Sequence, residues 1–430
     1  MSLFQILGRQ LADDLRRLPE TARRELSEAG RAQRAVNIAD LRALARRRLP
    51  RGVYGYVDGA AWDEVTKARN ESDLQALALR PRMLVGATEI DLSTEVLGRR
   101  LEVPLLAAPT GLTGLVHHEG EVGIARAVHG AGGAYVLSSA GSRTLEDVAT
   151  ASPGPRWFQL YVPPDRGLAQ ALLQRARAAG YEALVVTVDV PRAGARERDL
   201  RNGFTVPPRV TARSLVDGVR RPRWTANFLS RPQILSESLL SSVAQQGQAG
   251  SLGEMISRQF DPSLSWRDIT WVQEHWDGPL LIKGVLRGDD ARQAASLGLA
   301  GVIVSNHGGR QLDHATSAIR ALPEVVDAVG GELEVYMDGG IRRGVDIVRA
   351  LALGARACLA GRALLYGLAA GGPAGAQRAV EILVDELRLA MALLGCPSVR
   401  ALDPSWIAAT ATTAATAGSA ASEPRSPWST

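Results

Sequence analysis

The sequence predicts an α/β protein built on a (β/α)8 TIM barrel, with an N-terminal helical extension and a long insertion after the fourth strand. From residue 104 onward, eight short apolar runs that end in polar or glycine residues alternate with helical stretches. This alternation implies right-handed crossovers and a parallel sheet, and eight such units close a barrel. A doubly wound open sheet is the alternative, but no G-x-G-x-x-G motif follows a first strand.

Helices are expected before the barrel begins. Residues 1–34, rich in Arg, Ala and Leu, form a predicted helical arm. A helix over 38–48 follows Asn37, a suitable N-cap, and ends before a proline. The tyrosine-rich segment 53–60 then runs into a further helix.

The barrel strands and helices follow from the alternating pattern. A short strand pair around 90–97 and 100–103 precedes them. The eight barrel strands are predicted at residues 104–108, 134–138, 157–161, 183–187, 279–283, 301–305, 334–338 and 357–361. Helices between and after them are predicted at residues 121–130, 166–179, 289–297, 344–353 and 374–394. Functional side chains of such a barrel lie at the carboxyl ends of its strands.

One connection, 189–278, is far longer than the others and separates the fourth strand from the fifth. Unusually long connections tend to be functional. This one contains the basic and aromatic run 220–224 and apolar helical stretches around 234–243 and 252–260, which suit a surface that lies on a membrane. A lid packed on the barrel or on a neighbouring subunit is an equally good interpretation. Residues 409–430, rich in Ala, Thr, Ser and Pro, are typical of a disordered tail.

Composition is that of a globular protein. Of 430 residues, 46% are hydrophobic and 22% charged, and 50 basic against 45 acidic residues give a net charge of +5. The excess is spread along the chain, so it fits anionic ligands or a membrane surface better than nucleic acid. Cys358 and Cys396 lack metal-ligand neighbours and are expected to be reduced. Neither a secretory signal nor an apolar run of about 20 residues is present, so we expect a cytoplasmic enzyme.

Polar residues end most of the predicted barrel strands and should therefore meet at one mouth. A set of hydroxyls, an amide and a lysine suits a flat heteroaromatic ligand that carries carbonyls and ring nitrogens. The set comprises Pro109, Thr110, Gly111, Ser138, Gln159, Tyr161, Thr187, Asp189, Lys283, Ser305, His307 and Arg310. The run 338–344 and the pair Gly361-Arg362 follow the seventh and eighth strands, where barrels bind phosphate through glycine-loop N–H groups and a helix N-terminus. An arginine there can bind phosphate bidentately.

Other candidate motifs point away from metal and nucleotide chemistry. The adjacent side chains His117, His118 and Glu119 diverge, and no H-E-x-x-H spacing occurs, so we expect no metal site. No G-x-x-x-x-G-K-[ST] motif occurs, so ATP chemistry is not expected. For His307 and Arg310, an ordinary solvated loop is the alternative to a functional site.

The stretch 305–311, S-N-H-G-G-R-Q, resembles the signature of the FMN-dependent 2-hydroxy acid dehydrogenases and oxidases. The likeness runs from residue 37 to residue 408, with strand-end motifs in family order, and implies one FMN-dependent domain over 35–408. Within the family, the sequence looks most like the membrane-associated mandelate dehydrogenase branch. That likeness is carried by stretches 109–112, 196–200, 222–224 and 257–261.

The resemblance implies a catalytic role for several residues. His307 would take a proton from the substrate, and Asp189 would hold the resulting imidazolium. Arg196 and Arg310 would bind the substrate carboxylate, helped by Tyr56, and Tyr161 would hydrogen-bond the substrate oxygen. This arrangement makes physical sense because a 2-hydroxy acid is an anion and histidine can be neutral before turnover and protonated after it.

The resemblance also implies the FMN site and a roomy substrate pocket. Lys283 would face flavin N1 and O2, and Ser305 would meet the ribityl region. The remaining flavin contacts would come from Pro109, Thr110, Gly111, Ser138, Gln159 and Thr187. The ribityl chain and phosphate would contact Asp338, Gly339, Gly340, Ile341, Arg342, Gly361 and Arg362. Small residues at Gly111, Ala140 and Ala193, where glycolate-type members are often bulky, predict an aromatic or long-chain substrate such as mandelate, unless neighbouring side chains refill the space.

Several functional alternatives remain open at the level of sequence. The leading hypothesis is a dehydrogenase that passes electrons to a quinone or another acceptor, with 189–278 touching the inner face of the cell membrane. A soluble oxidase that uses O2 is the second. A flavin enzyme that tailors a peptide or natural-product intermediate and a flavin-bearing sensor without turnover are further alternatives. The resemblance also suggests a homotetramer.

Overall fold

In the part of the chain that the structure describes, four helices and a short antiparallel hairpin precede the barrel. The structure, a computed structural model, describes residues 27–86, 88–204, 212–231 and 260–408. The helices are α1 (Glu28–Gln33), α2 (Ile38–Arg48), α3 (Arg51–Asp58) and α4 (Val65–Gln75), and the hairpin strands are β1 (Thr94–Val96) and β2 (Arg99–Leu101). The predicted N-cap is present, since the Asn37 side chain accepts a hydrogen bond from the Asp40 N–H at 2.9 Å. The hairpin is shorter than predicted because Asp91 pairs instead with Ser398.

Eight parallel strands close into a barrel. They are β3 (Leu105–Ala107), β4 (Ala134–Ser138), β5 (Arg156–Leu160), β6 (Ala183–Thr187), β7 (Leu280–Val285), β8 (Gly301–Val304), β9 (Glu334–Asp338) and β10 (Cys358–Ala360). Each pairs with its neighbours in the chain, and β10 returns to pair with β3. The predicted (β/α)8 barrel is therefore confirmed, with strand ends shifted by no more than two residues.

Helices surround the barrel. They are α5 (Gly120–Gly130), α6 (Leu145–Ala151), α7 (Arg166–Ala178), α8 (Glu197–Arg201), α9 (Ala212–Val219), α10 (Pro222–Ser230), α11 (Trp266–Glu274), α12 (Gly288–Ser296), α13 (Ala318–Val329), α14 (Gly344–Ala352) and α15 (Arg362–Leu394). The sequence predicted only the second half of α15. Its two halves meet at Gly371 and Gly372, whose backbones leave the helical conformation just before Pro373.

Side chains inside the barrel form a closed apolar floor beneath its mouth. Trp157 and Tyr336 meet edge to face, with ring centroids 5.5 Å apart. Leu106, Val185 and Ile303 are fully buried beside them. Because the interior is filled, polar groups can gather only at the ends of the strands, and the chemistry is confined to the C-terminal mouth.

The described part of the 189–278 connection lies against the barrel. The indole of Trp224 donates a hydrogen bond to the Leu115 carbonyl at 2.8 Å and stacks on Phe228 at 5.2 Å. The apolar stretch around 234–243 lies outside the described residues, as do 1–26, 252–259 and the tail 409–430. None of the described helices is both long and apolar enough to cross a membrane.

Glu121 is a fully buried carboxyl group in the first turn of α5. Its Oε1 accepts a hydrogen bond from the Ser142 N–H at 2.6 Å. Its Oε2 has no hydrogen-bond partner in the described part of the chain. Burial raises the pKa of this carboxyl above its usual range, and the surrounding hydrogen bonds only partly counter that effect.

Replacing Glu121 with Gln should stabilise the protein at alkaline pH. A carboxyl whose pKa is higher in the folded state holds its proton more tightly there, so the free energy of unfolding falls as pH rises above about 4.3. Glu121→Gln removes that loss and should raise the free energy of unfolding by about 1–3 kcal/mol near pH 8. Urea unfolding over a pH series checks this. A gain that did not shrink toward acidic pH would contradict the explanation.

Candidate active site

A cavity of about 450 Å³ opens at the carboxyl ends of the barrel strands. The sequence-predicted residues that line it are Tyr56, Pro109, Thr110, Gly111, Ala140, Tyr161, Ala193, Arg196, Lys283, His307, Arg310, Asp338, Gly339, Gly340, Ile341, Arg342, Gly361 and Arg362. Five other predicted residues lie behind this lining: Ser138, Gln159, Thr187, Asp189 and Ser305. The structure thus brings two predicted groups together at one mouth: the polar residues at the strand ends, and the loops that follow the seventh and eighth barrel strands.

His307 follows β8 and is held by Asp189, which follows β6. The imidazole Nδ1 lies 3.0 Å from Asp189 Oδ1, so a proton on Nδ1 leaves Nε2 as an acceptor that faces the cavity. The backbone N–H of His307 donates to Ser305 Oγ at 3.0 Å. Burial opposes ionisation of Asp189, but His307 and Lys283 outweigh it and lower the pKa of its carboxyl. The pair has the geometry of a general base with an orienting carboxylate.

The backbone around His307 has an unusual conformation. His307, Gly308 and Gly309 have φ angles of +56°, +64° and +77°, in the left-handed region. For a residue with a Cβ atom this conformation is strained, and such strain persists only where surrounding contacts impose it. The turn places the imidazole over the cavity, and contacts from elsewhere in the chain must hold it there.

Two guanidinium groups lie over the ring of Tyr56. The Cζ atoms of Arg310 and Arg196 are 4.9 Å and 5.6 Å from its centroid. Arg310 Nη1 donates to the carbonyls of Tyr56 at 2.7 Å and Gly59 at 3.0 Å, and among the described residues no carboxylate forms a salt bridge with it. Burial, followed by repulsion from Arg196, lowers the pKa of Arg310 to about 10. The site therefore carries excess positive charge that an anion would neutralise.

Tyr161 faces the same cavity as a neutral hydrogen-bond donor. Its ring meets that of Phe260 edge to face at 5.2 Å. Burial, reinforced by the negative charge of Asp189, raises the pKa of its phenol well above the usual range. The hydroxyl therefore keeps its proton at any physiological pH.

Residues in and behind the cavity lining offer donors that suit a flat heteroaromatic ligand. Ser138 Oγ donates to Gln159 Oε1 at 2.7 Å, which leaves the buried Gln159 Nε2 without a partner in the described part of the chain. Lys283 Nζ lies 2.8 Å from both Ser305 Oγ and Asp338 Oδ2. Burial disfavours the ammonium, but Asp338 and Asp189 outweigh it and raise the pKa of Lys283. An unpaired amide donor and a permanent cation would meet ring carbonyls well.

The loop after β9 is shaped for a phosphate group. Gly339 and Gly340 have φ angles of +93° and +83°, and a Cβ atom on Gly340 would lie 2.1 Å from the Asn70 carbonyl oxygen. The loop leads into the N-terminus of α14, and Arg342 at its end pairs with Glu71 at 2.9 Å. Tight glycine backbone, a helix N-terminus and an arginine are the components of a phosphate site in a barrel.

Several cavity residues were not assigned from the sequence. Phe204 stacks on Tyr56 with centroids 5.3 Å apart, and Phe260 packs on Tyr161. Leu200 and Asp199 also line the cavity. All four belong to the long connection. Asp199, Leu200 and Phe204 follow Arg196 closely in the sequence, whereas Phe260 lies near the other end of the connection and has no such neighbour. As for metals, the described ranges contain no group of three or more His, Cys, Asp or Glu residues suited to binding one.

A model of the family of FMN-dependent dehydrogenases matches residues 45–409. An L-lactate dehydrogenase of Xanthomonas campestris pv. campestris is 45% identical over 363 residues, which cover 84% of this chain and 94% of that protein. An L-lactate oxidase of Nostoc sp. is 44% identical over 376 residues, which cover 86% of this chain and 98% of that protein.

Solved structures of 2-hydroxy acid enzymes also match this chain. The crystal structure of the monotopic membrane protein (S)-mandelate dehydrogenase matches with a TM-score of 0.82 and 41% identity, over 87% of this chain and 99% of that one. A mandelate oxidase matches with a TM-score of 0.72 and 36% identity, over 86% of this chain and 98% of that one. The resemblance read from 305–311 is thereby confirmed. The chain belongs to the FMN-dependent dehydrogenase family and is a 2-hydroxy acid dehydrogenase or oxidase that uses FMN.

Proposed function

We propose that the protein oxidises an (S)-2-hydroxy acid with an aromatic or bulky side chain, such as mandelate, to the 2-oxo acid. The observation that carries this proposal is one cavity that joins the His307–Asp189 pair to two guanidiniums stacked on Tyr56. The substrate loses two electrons and two protons. FMN, when bound, supplies the two-electron acceptor for this reaction.

His307 is the proposed base. With its Nδ1 proton directed at Asp189, its Nε2 can take a proton from the substrate, and the resulting imidazolium is stabilised by the Asp189 carboxylate. Tyr161, which remains protonated, donates a hydrogen bond to the substrate oxygen. Both groups need a substrate that is held in one orientation.

Arg196 and Arg310 are proposed to supply that orientation. Their shared stacking on Tyr56 fixes two planar donors near one point, and a carboxylate can accept from both. Arg310 is already anchored through Nη1 to two backbone carbonyls, so little further ordering is needed when the substrate binds. By binding the carboxylate, the two guanidiniums hold the α-carbon of the substrate in a fixed position.

Small residues on one side of the cavity support an aromatic substrate. A Cβ atom on Gly111 would lie 3.1 Å from the Ala140 Cβ, so a larger residue at either position would close that side. Phe260 and Tyr161 provide aromatic walls nearby. The mandelate dehydrogenase and mandelate oxidase neighbours support this choice, whereas the relatives named for L-lactate support a smaller acid.

The residues present fit FMN. The Gln159 amide, with Ser138, Thr187 and the backbone of 109–111, would hold the ring system, and Lys283 with Ser305 would meet its polar edge. The glycine loop and Arg342 would bind the phosphate. Two buried atoms, Gln159 Nε2 and Asp338 Oδ1, have no hydrogen-bond partner within the described ranges, which supports a polar ligand at this mouth.

The electron acceptor is proposed to be a quinone at the inner face of the cell membrane, with O2 as the alternative that the oxidase relatives favour. Exposed apolar side chains on the connection support a membrane contact: Leu200 is 75% exposed, Val219 79% and Leu229 66%. Basic residues, including Arg223 at the start of α10, lie close by. Interfacial helices combine apolar and basic residues in this way. The homotetramer stays a prediction.

Replacing His307 with Gln should leave FMN bound and slow flavin reduction. Loss of a general base typically lowers a rate roughly 10²–10⁴-fold. Anaerobic stopped-flow bleaching of the flavin by (S)-mandelate measures this. His275→Gln is the matched control, since His275 caps α11 away from the cavity, and it should reduce at the wild-type rate. Wild-type reduction by the His307 variant would refute the assignment.

Turnover should favour (S)-mandelate over lactate and glycolate. Ala140→Leu fills the small side of the cavity and should lower kcat/KM for mandelate by about 10–200-fold while affecting lactate far less. Steady-state kinetics with both acids and an artificial acceptor would show the change in preference. A wild-type preference for lactate or glycolate by more than about tenfold in kcat/KM would contradict the aromatic substrate.

The reduced enzyme should react quickly with a short-chain quinone and slowly with O2. Enzyme reduced by substrate, then mixed in a stopped-flow instrument with either acceptor, gives the two rates directly. Both reoxidation rates are measured on the same reduced sample, so inactive protein in that sample does not change the ratio of the two rates. Rapid reoxidation by O2 would favour the oxidase alternative.

A further inference from the structure

We infer that Gln311 is a positioning residue whose side chain holds the segment 189–196 against the loop after β8, which carries the proposed base. The segment brings Asp189 and Arg196 to the active site, so its placement affects both proton transfer and binding of the substrate carboxylate. This inference rests on the function proposed above and adds to it a residue that acts through those two side chains.

The carboxamide of Gln311 makes three hydrogen bonds to the backbone of the segment. Its Nε2 donates to the carbonyls of Asp189 at 3.1 Å and Arg192 at 2.8 Å, and its Oε1 accepts from the Gly194 N–H at 3.1 Å. Gln311 also lines the cavity, but both hydrogens of its amide are already donated to backbone carbonyls. Its geometry therefore fits support of the segment better than contact with a substrate.

The segment depends on contacts of this kind for its course. It contains no helix or strand, and residues 191–193 are exposed. Its backbone groups therefore have no helix or sheet to bond to, so other parts of the chain must supply their partners. Near one end, the Ala195 carbonyl accepts from the Trp62 N–H at 2.9 Å. Gln311 supplies partners at the other end, starting at Asp189 itself.

The two loops meet backbone to backbone at Gly194. A Cβ atom there would lie 2.2 Å from the Arg310 carbonyl oxygen and 2.9 Å from the Gln311 Cα. A side chain at this position would therefore push the loops apart, and glycine permits the close approach. Gly194 makes the contact possible, and the Gln311 carboxamide secures it.

Two contacts of the proposed site depend on how these loops lie relative to each other. Asp189 Oδ1 lies 3.0 Å from His307 Nδ1. Arg196 and Arg310 reach the Tyr56 ring from the two different loops. A shift of the segment would therefore misorient the base and separate the two guanidiniums at the same time. Misplacement by about 1 Å can cost roughly 10²-fold in rate.

The test uses Gln311→Met, which keeps the length of the side chain and removes its three hydrogen bonds. Phenylacetate is the probe for binding, because it has the ring and carboxylate of mandelate but no hydroxyl group to oxidise. Its Kd for the FMN-loaded enzyme is measured from the change in flavin absorbance. Gln377→Met, at an exposed position of α15 where Gln377 donates to Glu381, is the matched control and should change nothing.

Gln311→Met should weaken phenylacetate binding about tenfold and slow flavin reduction by saturating (S)-mandelate roughly 10²-fold. In an Arg196→Met background the same substitution should leave the Kd for phenylacetate unchanged, because Gln311 affects binding through Arg196. A tenfold loss that persisted without Arg196 would show direct contact with the ligand and overturn the inference. Wild-type binding and reduction by Gln311→Met would overturn it as well.

Gly194→Ala provides a second variant in which Gln311 is intact. The added Cβ should separate the two loops, so this variant should also bind phenylacetate more weakly and reduce its flavin more slowly. If Gly194→Ala behaved like the wild type in both measurements, the close approach of the loops would not matter and the inference would fail.

Hydrogen exchange measures the support of the segment without any substrate. Amides of 190–196 should exchange faster in Gln311→Met than in the wild type, whereas those of α14 should exchange at the wild-type rate, which separates a local effect from a general loss of folding. Unchanged exchange in 190–196 would contradict the inference. If no 2-hydroxy acid reduced the wild-type flavin, the proposed function would fail, and the exchange result would still decide whether Gln311 holds the segment.

Discussion

The main physical constraint on the mouth of the barrel is that it buries several positive charges. Five cationic side chains line one cavity: Arg196, Lys283, Arg310, Arg342 and Arg362. Like charges brought together away from water repel, and burial first, then repulsion from Arg196, lower the pKa of Arg310. Lys283 and Arg342 are compensated by carboxylates, whereas Arg310 and Arg362 rest on backbone carbonyls. Anionic ligands complete this balance, so cofactor and substrate should each stabilise the fold on binding.

A second group of charged residues stabilises the end of α3, whose backbone carbonyls accept hydrogen bonds from Arg310 and Arg362. The carboxylate of Asp58 is buried and contacts Arg42 at 2.7 Å, Lys67 at 3.3 Å and Arg198 at 2.7 Å. The Tyr366 hydroxyl donates to it at 2.7 Å. These partners come from four separate elements, which meet at the end of α3. Burial opposes the ionisation of Asp58, yet its partners lower the pKa of the carboxyl below its usual range. The residues next to Tyr56 are therefore fixed before any ligand arrives.

The sequence predicted the barrel well because its signals are local. Each strand is a short apolar run that ends in polar residues, and the alternation with helices determines the topology. The strand-end rule then selected His307, Arg310 and Lys283 as cavity residues. It could not show that Arg362 would turn to carbonyls of the distant α3, because that contact depends on tertiary packing. Phe204 and Phe260 were missed for a similar reason: periodicity does not reveal where a long connection folds back.

The proposed substrate-binding residues come from two different parts of the chain. Arg310 and His307 follow a barrel strand, whereas Arg196, Phe204 and Phe260 come from the long connection. Arg198 ties α8 to the helices that precede the barrel, through Asp58 and Glu64. The proposed base, His307, is thus separate in sequence from most of the residues that shape the pocket. Side chains of the connection can vary and change the preferred acid while the flavin seat stays the same.

The packing of the first helices on α15 has a consequence for how the protein assembles during synthesis. Arg48 donates to the Ala369 carbonyl at 2.8 Å, and Arg378 donates to the Ala35 carbonyl at 3.0 Å. Among the described residues, α15 is therefore a main packing partner of α1 and α2, and it is not available until more than 300 further residues have been synthesised. Contacts between residues so distant in sequence form late and slow folding. Helices α1 and α2 are synthesised before α15 and cannot pack against it until it is made, so chaperones have that interval in which to act.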